Sequence, residues 1–121
     1  MKILLRLEGA AWAAFFFLAL RTNDYWPALM SLGWPGGILL FLLPDLSMLG
    51  YLLGRKPGAA LYNLFHVYPH PLGLLAVASY FGKPLPAIAS LVWIIHIGLD
   101  RALGLGLKYP TGFNDTHLGR V

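Results

Sequence analysis

Long apolar stretches alternate with short polar breaks along this chain. A helix that crosses a bilayer needs ~20 mostly apolar residues, with a working range of ~17–25. The pattern therefore predicts an all-α polytopic membrane protein with four transmembrane helices. We expect a single transmembrane domain over residues 1–121, with a cytoplasmic tail at 108–121. The predicted spans lie at about 3–21, 28–53, 59–81 and 85–107.

Proline positions predict irregular helices in the second and third of these spans. Pro44 precedes Asp45 in the second stretch, and Pro69 and Pro71 flank His70 in the third. Proline removes a backbone hydrogen bond and kinks a helix. In a membrane the freed carbonyl groups must be satisfied by protein or water. We therefore expect kinks in both helices.

Composition supports the membrane interpretation. The chain is 58% hydrophobic and 12% charged, whereas soluble domains are about 45–50% apolar and ~25% charged. It contains no cysteine, which excludes a disulfide framework and a thiolate metal site. The net charge of +4 is typical of basic residues that flank membrane spans. We expect the lipid bilayer to be the main partner and expect no nucleic-acid partner.

Basic residues predict the orientation of the spans. With four spans, seven of the nine lysines and arginines lie on one side, and only Arg21 and Lys83 lie on the other. Basic residues accumulate on the cytoplasmic side of a membrane. This predicts a multi-pass protein of the inner (cytoplasmic) membrane with both termini in the cytoplasm. The seven residues are Lys2, Arg6, Arg55, Lys56, Arg101, Lys108 and Arg120.

Ionisable side chains interrupt the apolar stretches at a similar depth. Asp45, His66, His96 and Asp100 fall roughly 10–16 Å from the cytoplasmic ends of their predicted helices. His96 and Asp100 are four residues apart and share one helix face. Charged groups in a span cost at least ~2.5–3.5 kcal/mol and normally face the bundle interior. We expect a buried polar cluster in the cytoplasmic half. The wider network is predicted to include Glu8, Asn63, His70, Arg101 and His117.

The cluster has several chemical interpretations. Imidazole and carboxylate are the ligands of a divalent metal such as Zn²⁺ when cysteine is absent, and the candidate ligands are Asp45, His66, His96 and Asp100. A purely structural network is an alternative, with Asp45 capping the half-helix after Pro44. A proton or ion pathway and a bis-histidine haem between His66 and His96 are further alternatives. The residue types leave these alternatives open.

The C-terminal segment "KYPTGFNDTHLGRV" is the most polar part of the chain. Asp115 and His117 form a DxH pair there. The segment could fold back under the bundle and add ligands to the cluster. The alternative is a solvated tail with a turn at "PTG".

Four sequence blocks resemble a small bacterial integral-membrane family catalogued as domain of unknown function 4260. The blocks are "LLPDLSMLGYLLG", "ALYNLFHVY", "HIGLDRALGLGLKYPTGF" and "DTHLGR". The resemblance covers nearly the whole chain, and its most specific part runs from His96 to Arg120. It implies a membrane protein of about this length, and it implies no activity.

A more distant resemblance concerns inner-membrane metal-dependent hydrolases related to zinc phospholipases C. The shared pattern is an early Pro-Asp, a central helix with histidine, and a late HxxxD. The resemblance implies that Asp45, His66, His96 and Asp100 are ligands. The chain departs from that pattern at the central histidine, where "YNLFHVYPHP" stands in place of an "HR…THS" block.

Three functional hypotheses follow. The first is an integral membrane protein of unknown activity whose cluster is structural or binds a ligand. The second is a membrane-bound metal-dependent hydrolase that acts on a lipid or a headgroup, with Asp45 or Asp115 as the base. The third is a small transporter or channel. It would require a homo-oligomer, because four helices enclose little space.

Overall fold

The computed structural model describes residues 2–105 and 107, and every secondary-structure element in that part is helical. This confirms the all-α prediction for the described residues. The predicted candidates Asp115 and His117 lie outside them. In chain order the elements are α1 (Lys2–Thr22), α2 (Tyr25–Ser31), α3 (Gly33–Leu42), a 3₁₀ helix (Leu43–Leu53), α4 (Arg55–Phe65), α5 (Pro69–Tyr80) and α6 (Pro84–Ala102).

Three helical segments among the described residues are long and apolar enough to cross a membrane. They are Lys2–Thr22, Gly33–Leu53 and Pro84–Ala102, and they correspond to the first, second and fourth predicted stretches. The third stretch consists of α4 and α5, which have 11 and 12 residues. Neither is long enough to span a bilayer alone. A fourth span therefore stays a prediction.

Prolines begin helices in this fold. Pro44, Pro69 and Pro84 each lie in the first turn of a helix. A proline fits there because its fixed φ is helical and the first-turn N–H groups have no intrahelical acceptor. Between α4 and α5 the backbone leaves the helix at His66, where φ is −121° and ψ is 28°. The sequence "HVYPHP" therefore separates two short helices.

Helix α6 is the centre of the fold. It packs against α1, α5 and α3, and ten of its residues are buried. Ile88, Leu91 and Ile95 form a hydrophobic core with Ala13 and Leu20 of α1. A helix that is apolar nearly all round is buried by its neighbours, and α6 shows this arrangement. The two polar candidates on α6, His96 and Asp100, are thereby held on a rigid element.

Small residues allow α1 and α6 to approach backbone to backbone. A Cβ atom built on Gly98 would lie 2.7 Å from the carbonyl oxygen of Gly9 and 2.8 Å from the nitrogen of Ala13. A Cβ on Gly9 would meet the Cβ of Arg101. Close helix contacts of this kind require glycine or another small residue. The contact fixes α6 against α1 at a position two residues from both His96 and Asp100.

The outer surface of the bundle is strongly apolar. Leu52 and Trp34 are 83% and 78% exposed, and many other large hydrophobic side chains on α1, α3 and the 3₁₀ helix are exposed. Soluble monomers rarely expose contiguous apolar patches larger than a few hundred Å². This surface agrees with helices whose solvent is lipid.

We predict that Gly98→Ala destabilises the protein by about 1–3 kcal/mol, because its methyl group would overlap the backbone of α1. Gly73→Ala in α5 is the matched control, since no atom lies within 4 Å of its Cβ position, and we expect it to be neutral or stabilising by up to ~1 kcal/mol. Thermal unfolding in detergent measures both. Equal melting temperatures would show that the α1–α6 contact is not tight.

Candidate metal centre

Four predicted ligands from three parts of the chain meet in the structure. Asp45 is the third residue of the 3₁₀ helix, His66 follows the last residue of α4, and His96 and Asp100 share one face of α6. His66 and His96 are 3% and 1% exposed. The grouping that we predicted for a metal site is therefore present: the four candidate ligand atoms all lie within 4.8 Å of one another.

Each histidine Nε2 lies between two carboxylate oxygens. The Nε2 of His66 is 3.3 Å from Oδ1 of Asp45 and 3.5 Å from Oδ2 of Asp100. The Nε2 of His96 is 3.1 Å and 3.3 Å from the same two oxygens. The two nitrogens and two oxygens thus surround one point.

Backbone carbonyls determine which imidazole nitrogen carries the proton. The Nδ1–H of His66 donates to the carbonyl oxygen of Tyr62 at 2.8 Å, and the Nδ1–H of His96 donates to that of Phe41 at 2.6 Å. A carbonyl can only accept, so Nδ1 must be the protonated nitrogen. In the neutral ring, Nε2 then directs its lone pair towards the carboxylates. Histidines that bind metals are oriented by such hydrogen bonds from the other ring nitrogen.

The four nitrogen–oxygen spacings are those of neighbouring ligands around one small ion. Zn²⁺ binds imidazole nitrogen and carboxylate oxygen at ~2.0–2.2 Å, which places neighbouring ligands of a tetrahedron about 3.3–3.6 Å apart. The four distances above run from 3.1 to 3.5 Å. Four acceptor atoms this close repel one another unless positive charge lies between them. The residues present therefore fit a divalent metal ion.

Aromatic rings hold the two imidazoles in place. The ring of Tyr62 stacks on His66 with centroids 3.7 Å apart and planes 10° apart, and the Tyr62 hydroxyl lies 3.5 Å from Oδ2 of Asp100. The ring of Phe41 lies 4.7 Å from that of His96. Each of these residues also supplies the carbonyl described above, so Phe41 and Tyr62 support the centre in two ways.

Helix α6 also fixes the break between α4 and α5. The indole N–H of Trp93 donates to the carbonyl oxygen of Phe65 at 2.6 Å, and Nη2 of Arg101 donates to that of His66 at 3.2 Å. These bonds satisfy carbonyls at the end of α4, where no helical donor follows. Neither Trp93 nor Tyr62 was predicted from the sequence to support the site. The available signal was spacing, since each lies one helical turn before a histidine.

The other described residues of the predicted polar network lie outside the group of four. Arg101 contacts the backbone of His66 and lies over the ring of Tyr68, with Cζ 5.6 Å from the centroid. Asn63 is partly buried in α4. Glu8 and His70 are exposed, outside the group of four. His117 lies outside the described residues.

The geometry does not suit the haem alternative. Both Nε2 atoms lie within 3.1–3.5 Å of the two carboxylate oxygens. A porphyrin between the imidazoles would have to occupy the space that these oxygens fill. The two histidines therefore share a site suited to a single ion.

The centre is closed on its histidine side and open on its carboxylate side. The imidazole side chains are 3% and 2% exposed, whereas those of Asp45 and Asp100 are 29% and 19% exposed. An ion held here would be reachable from one direction. This is a property of sites that exchange ligands, whereas structural metal sites are closed.

The fold and the site together define an all-helical protein of apolar helices built around two histidines and two aspartates. The chain belongs to the family described as "Domain of unknown function (DUF4260)", whose sequence model matches residues 2–121. This confirms the resemblance to domain of unknown function 4260. No curated protein and no solved structure matches the chain. The geometry of the site is therefore the main indication of what the protein does.

We predict opposite effects of Asp100→Asn with and without metal. In chelator, the variant should be more stable than wild type by about 1 kcal/mol, because an amide removes one negative charge and can donate to a histidine Nε2. With Zn²⁺ present, wild type should be the more stable, because the variant loses a ligand. Melting temperatures in both conditions provide the measurement.

Asp24→Asn, which changes an exposed aspartate after α1, is the control and should have little effect in either condition. A variant Asp100→Asn that melts below wild type in chelator would favour the structural network, in which the carboxylates pair with protonated histidines.

Proposed function

We propose that this protein is an integral membrane protein that binds one divalent transition-metal ion, with Zn²⁺ as the ion that the donor set fits best. Asp45, His66, His96 and Asp100 are the ligands. The observation that carries the proposal is the convergence of two histidine lone pairs and two carboxylate oxygens at 3.1–3.5 Å. Nitrogen and oxygen ligands in a tetrahedral arrangement are the usual environment of Zn²⁺ when cysteine is absent.

Charge favours a metal over a network of ion pairs. To neutralise the charge of both carboxylates without a metal, both imidazoles would have to be protonated at Nε2. Their ring centroids are only 5.4 Å apart, so two imidazolium cations would repel each other in a buried site. Burying ion pairs also has a desolvation cost that their attraction often fails to offset. One divalent cation neutralises both carboxylates and accepts both lone pairs.

The metal would join elements that are far apart in sequence. The ligands come from the 3₁₀ helix, from the end of α4 and from α6. An ion that binds only the folded chain stabilises it according to its affinity and concentration. Metal binding would therefore hold the broken α4–α5 segment against α6.

Metal content of the purified protein tests the proposal. We expect about one ion per chain in wild type, and its loss in His66→Ala and His96→Ala. His70→Ala is the matched control, because His70 is exposed and outside the cluster. Elemental analysis after equilibration with Zn²⁺ and removal of free metal gives the number of ions bound per chain. Equal metal in all four proteins, or none in wild type, would contradict the proposal.

We also propose four membrane crossings with both termini in the cytoplasm of a bacterial inner membrane. The fourth crossing is the pair α4 and α5, whose 11 and 12 residues extend about 35 Å if roughly collinear, against a hydrocarbon core of ~30 Å. The break between them is covered by bonds from Trp93 and Arg101. Non-helical backbone is tolerated at membrane depth where protein satisfies it. The distribution of basic residues supports this orientation.

Single cysteines test the topology, since the chain has none of its own. We expect Asn23→Cys and Lys83→Cys to react with a membrane-impermeant maleimide on intact cells. Lys56→Cys should react only after permeabilisation, because it would lie on the cytoplasmic side. Labelling of Lys56→Cys and Lys83→Cys from the same side would show that residues 55–80 do not cross the membrane.

Metal-dependent hydrolysis of a lipid or headgroup is the second candidate function. The observation that favours it is the exposure of the carboxylate side of the centre. Bound Zn²⁺ lowers the pKa of a coordinated water to near neutrality. In this function His66, His96 and Asp100 would hold the ion, the fourth position would be left to water, and Asp45, the more exposed aspartate, would accept the proton of that water. Headgroup release that requires metal and is absent from His96→Ala would support this function, and metal-loaded wild type without such release would exclude it for the lipids tested.

A further inference from the structure

An apolar cavity lies directly beside the proposed metal centre. It has a volume of about 240 Å³, and its lining includes Pro44, Phe65, Ala89 and Trp93. Pro44 and Phe65 immediately precede the ligands Asp45 and His66 in the chain. Trp93 lies on the same face of α6 as His96 and Asp100, at positions i, i+3 and i+7. The cavity and the centre therefore follow one another along one face of α6.

Two arginines lie at the C-terminal end of α6, on the side of the metal centre away from the cavity. Arg101 follows Asp100, and one of its N–H groups donates to the carbonyl oxygen of His66. The Nε–H of Arg6 donates to the carbonyl oxygen of Ala102 at 2.8 Å, so a second guanidinium lies at the C-terminal end of α6. Within residues 2–105 and 107, neither arginine forms an ion pair with a carboxylate. In that part of the chain, each guanidinium has further N–H groups beside the one that donates to a carbonyl oxygen, and these can donate to an anion.

We propose that the cavity, the metal centre and Arg101 together bind an anionic lipid, an inference that rests on the proposed metal centre. The acyl chain lies in the cavity beside Trp93, and the acidic headgroup lies at Arg101 next to the metal. Trp93 and Arg101 are eight residues apart, or about 12 Å along α6. An amphiphile with an acyl chain at one end and an anionic headgroup at the other matches both the order and the spacing of these features.

The chemistry of each end identifies the class of ligand. Guanidinium groups form paired hydrogen bonds with the oxygens of phosphate and carboxylate. The cavity offers almost no polar surface, so a water-soluble phosphate would leave it unused. The surrounding outer face is apolar as well, which gives lipid direct access. A membrane phospholipid with a negatively charged headgroup provides an anion for the guanidinium groups and an acyl chain for the cavity, and it can enter from the bilayer.

The test compares three compounds on the Zn²⁺-equilibrated protein in a non-ionic detergent. They are dioctanoyl phosphatidate, dioctanoyl phosphatidylcholine and glycerol 3-phosphate, and binding is read by native mass spectrometry. We expect phosphatidate to bind at least about tenfold more tightly than either of the others, the effect of one or more charge-assisted hydrogen bonds. Metal content is measured on the same samples.

Two variants with matched controls locate the site. Arg101→Gln should remove the preference for phosphatidate over phosphatidylcholine, whereas Lys83→Gln at the opposite end of α6 should keep it. Ala89→Phe should fill the cavity and weaken both lipids by about tenfold or more, whereas Ala76→Phe on the exposed face of α5 should not. Metal content of Arg101→Gln is measured beside its lipid preference, because Arg101 also donates to the carbonyl oxygen of the ligand His66.

The outcomes separate the inference from the proposed function. Wild type that holds metal but binds the two lipids equally would overturn the inference and leave the metal centre intact. Glycerol 3-phosphate that binds as tightly as phosphatidate would overturn the assignment to lipid. Protein without metal that still prefers phosphatidate would overturn the metal centre and support the lipid site. If Arg101→Gln does not fold, the ranking of the three compounds on wild type still decides.

Discussion

The carbonyl oxygens of Phe41 and Tyr62 accept the Nδ1–H groups of two buried histidines, and the character of the site depends on these bonds. They keep the proton of each imidazole on Nδ1, so both Nε2 lone pairs point at the carboxylates of Asp45 and Asp100. Four acceptors then share one small volume, which is stable only with positive charge among them. The same carbonyls lie at element ends or transitions, where the sequence frees them from helical bonding.

Helix α6 provides the rigidity that this arrangement needs. Its glycine contact with α1 leaves no room for displacement around Gly98, and the hydrogen bond from Trp93 to Phe65 ties it to the end of α4. Two of the candidate ligands therefore belong to a packed helix, while the other two lie on segments that α6 holds in position. A bound ion would complete these links. The site and the fold consequently stabilise each other.

The grouping of the four candidate ligands could be predicted from the sequence because charge in an apolar stretch is costly and the i, i+4 spacing of His96 and Asp100 defines a face. The exposed position of His70, outside the cluster, could not be predicted. Its predicted position depended on a continuous third helix, and the break after His66 leaves it exposed. Nor does sequence spacing alone show which of the 14 glycines meet another backbone, because that depends on tertiary packing. Trp93 was missed for a similar reason, since its acceptor is 28 residues away.

X-ray absorption at the metal edge tests the central claim most directly, because it reports the ligands of the bound ion. For the Zn²⁺-loaded protein we predict four nitrogen and oxygen neighbours at ~2.0–2.1 Å, with the outer-ring scattering of two imidazoles. A spectrum with no imidazole scattering, or with a shell of about six oxygens typical of a hydrated ion, would contradict the account.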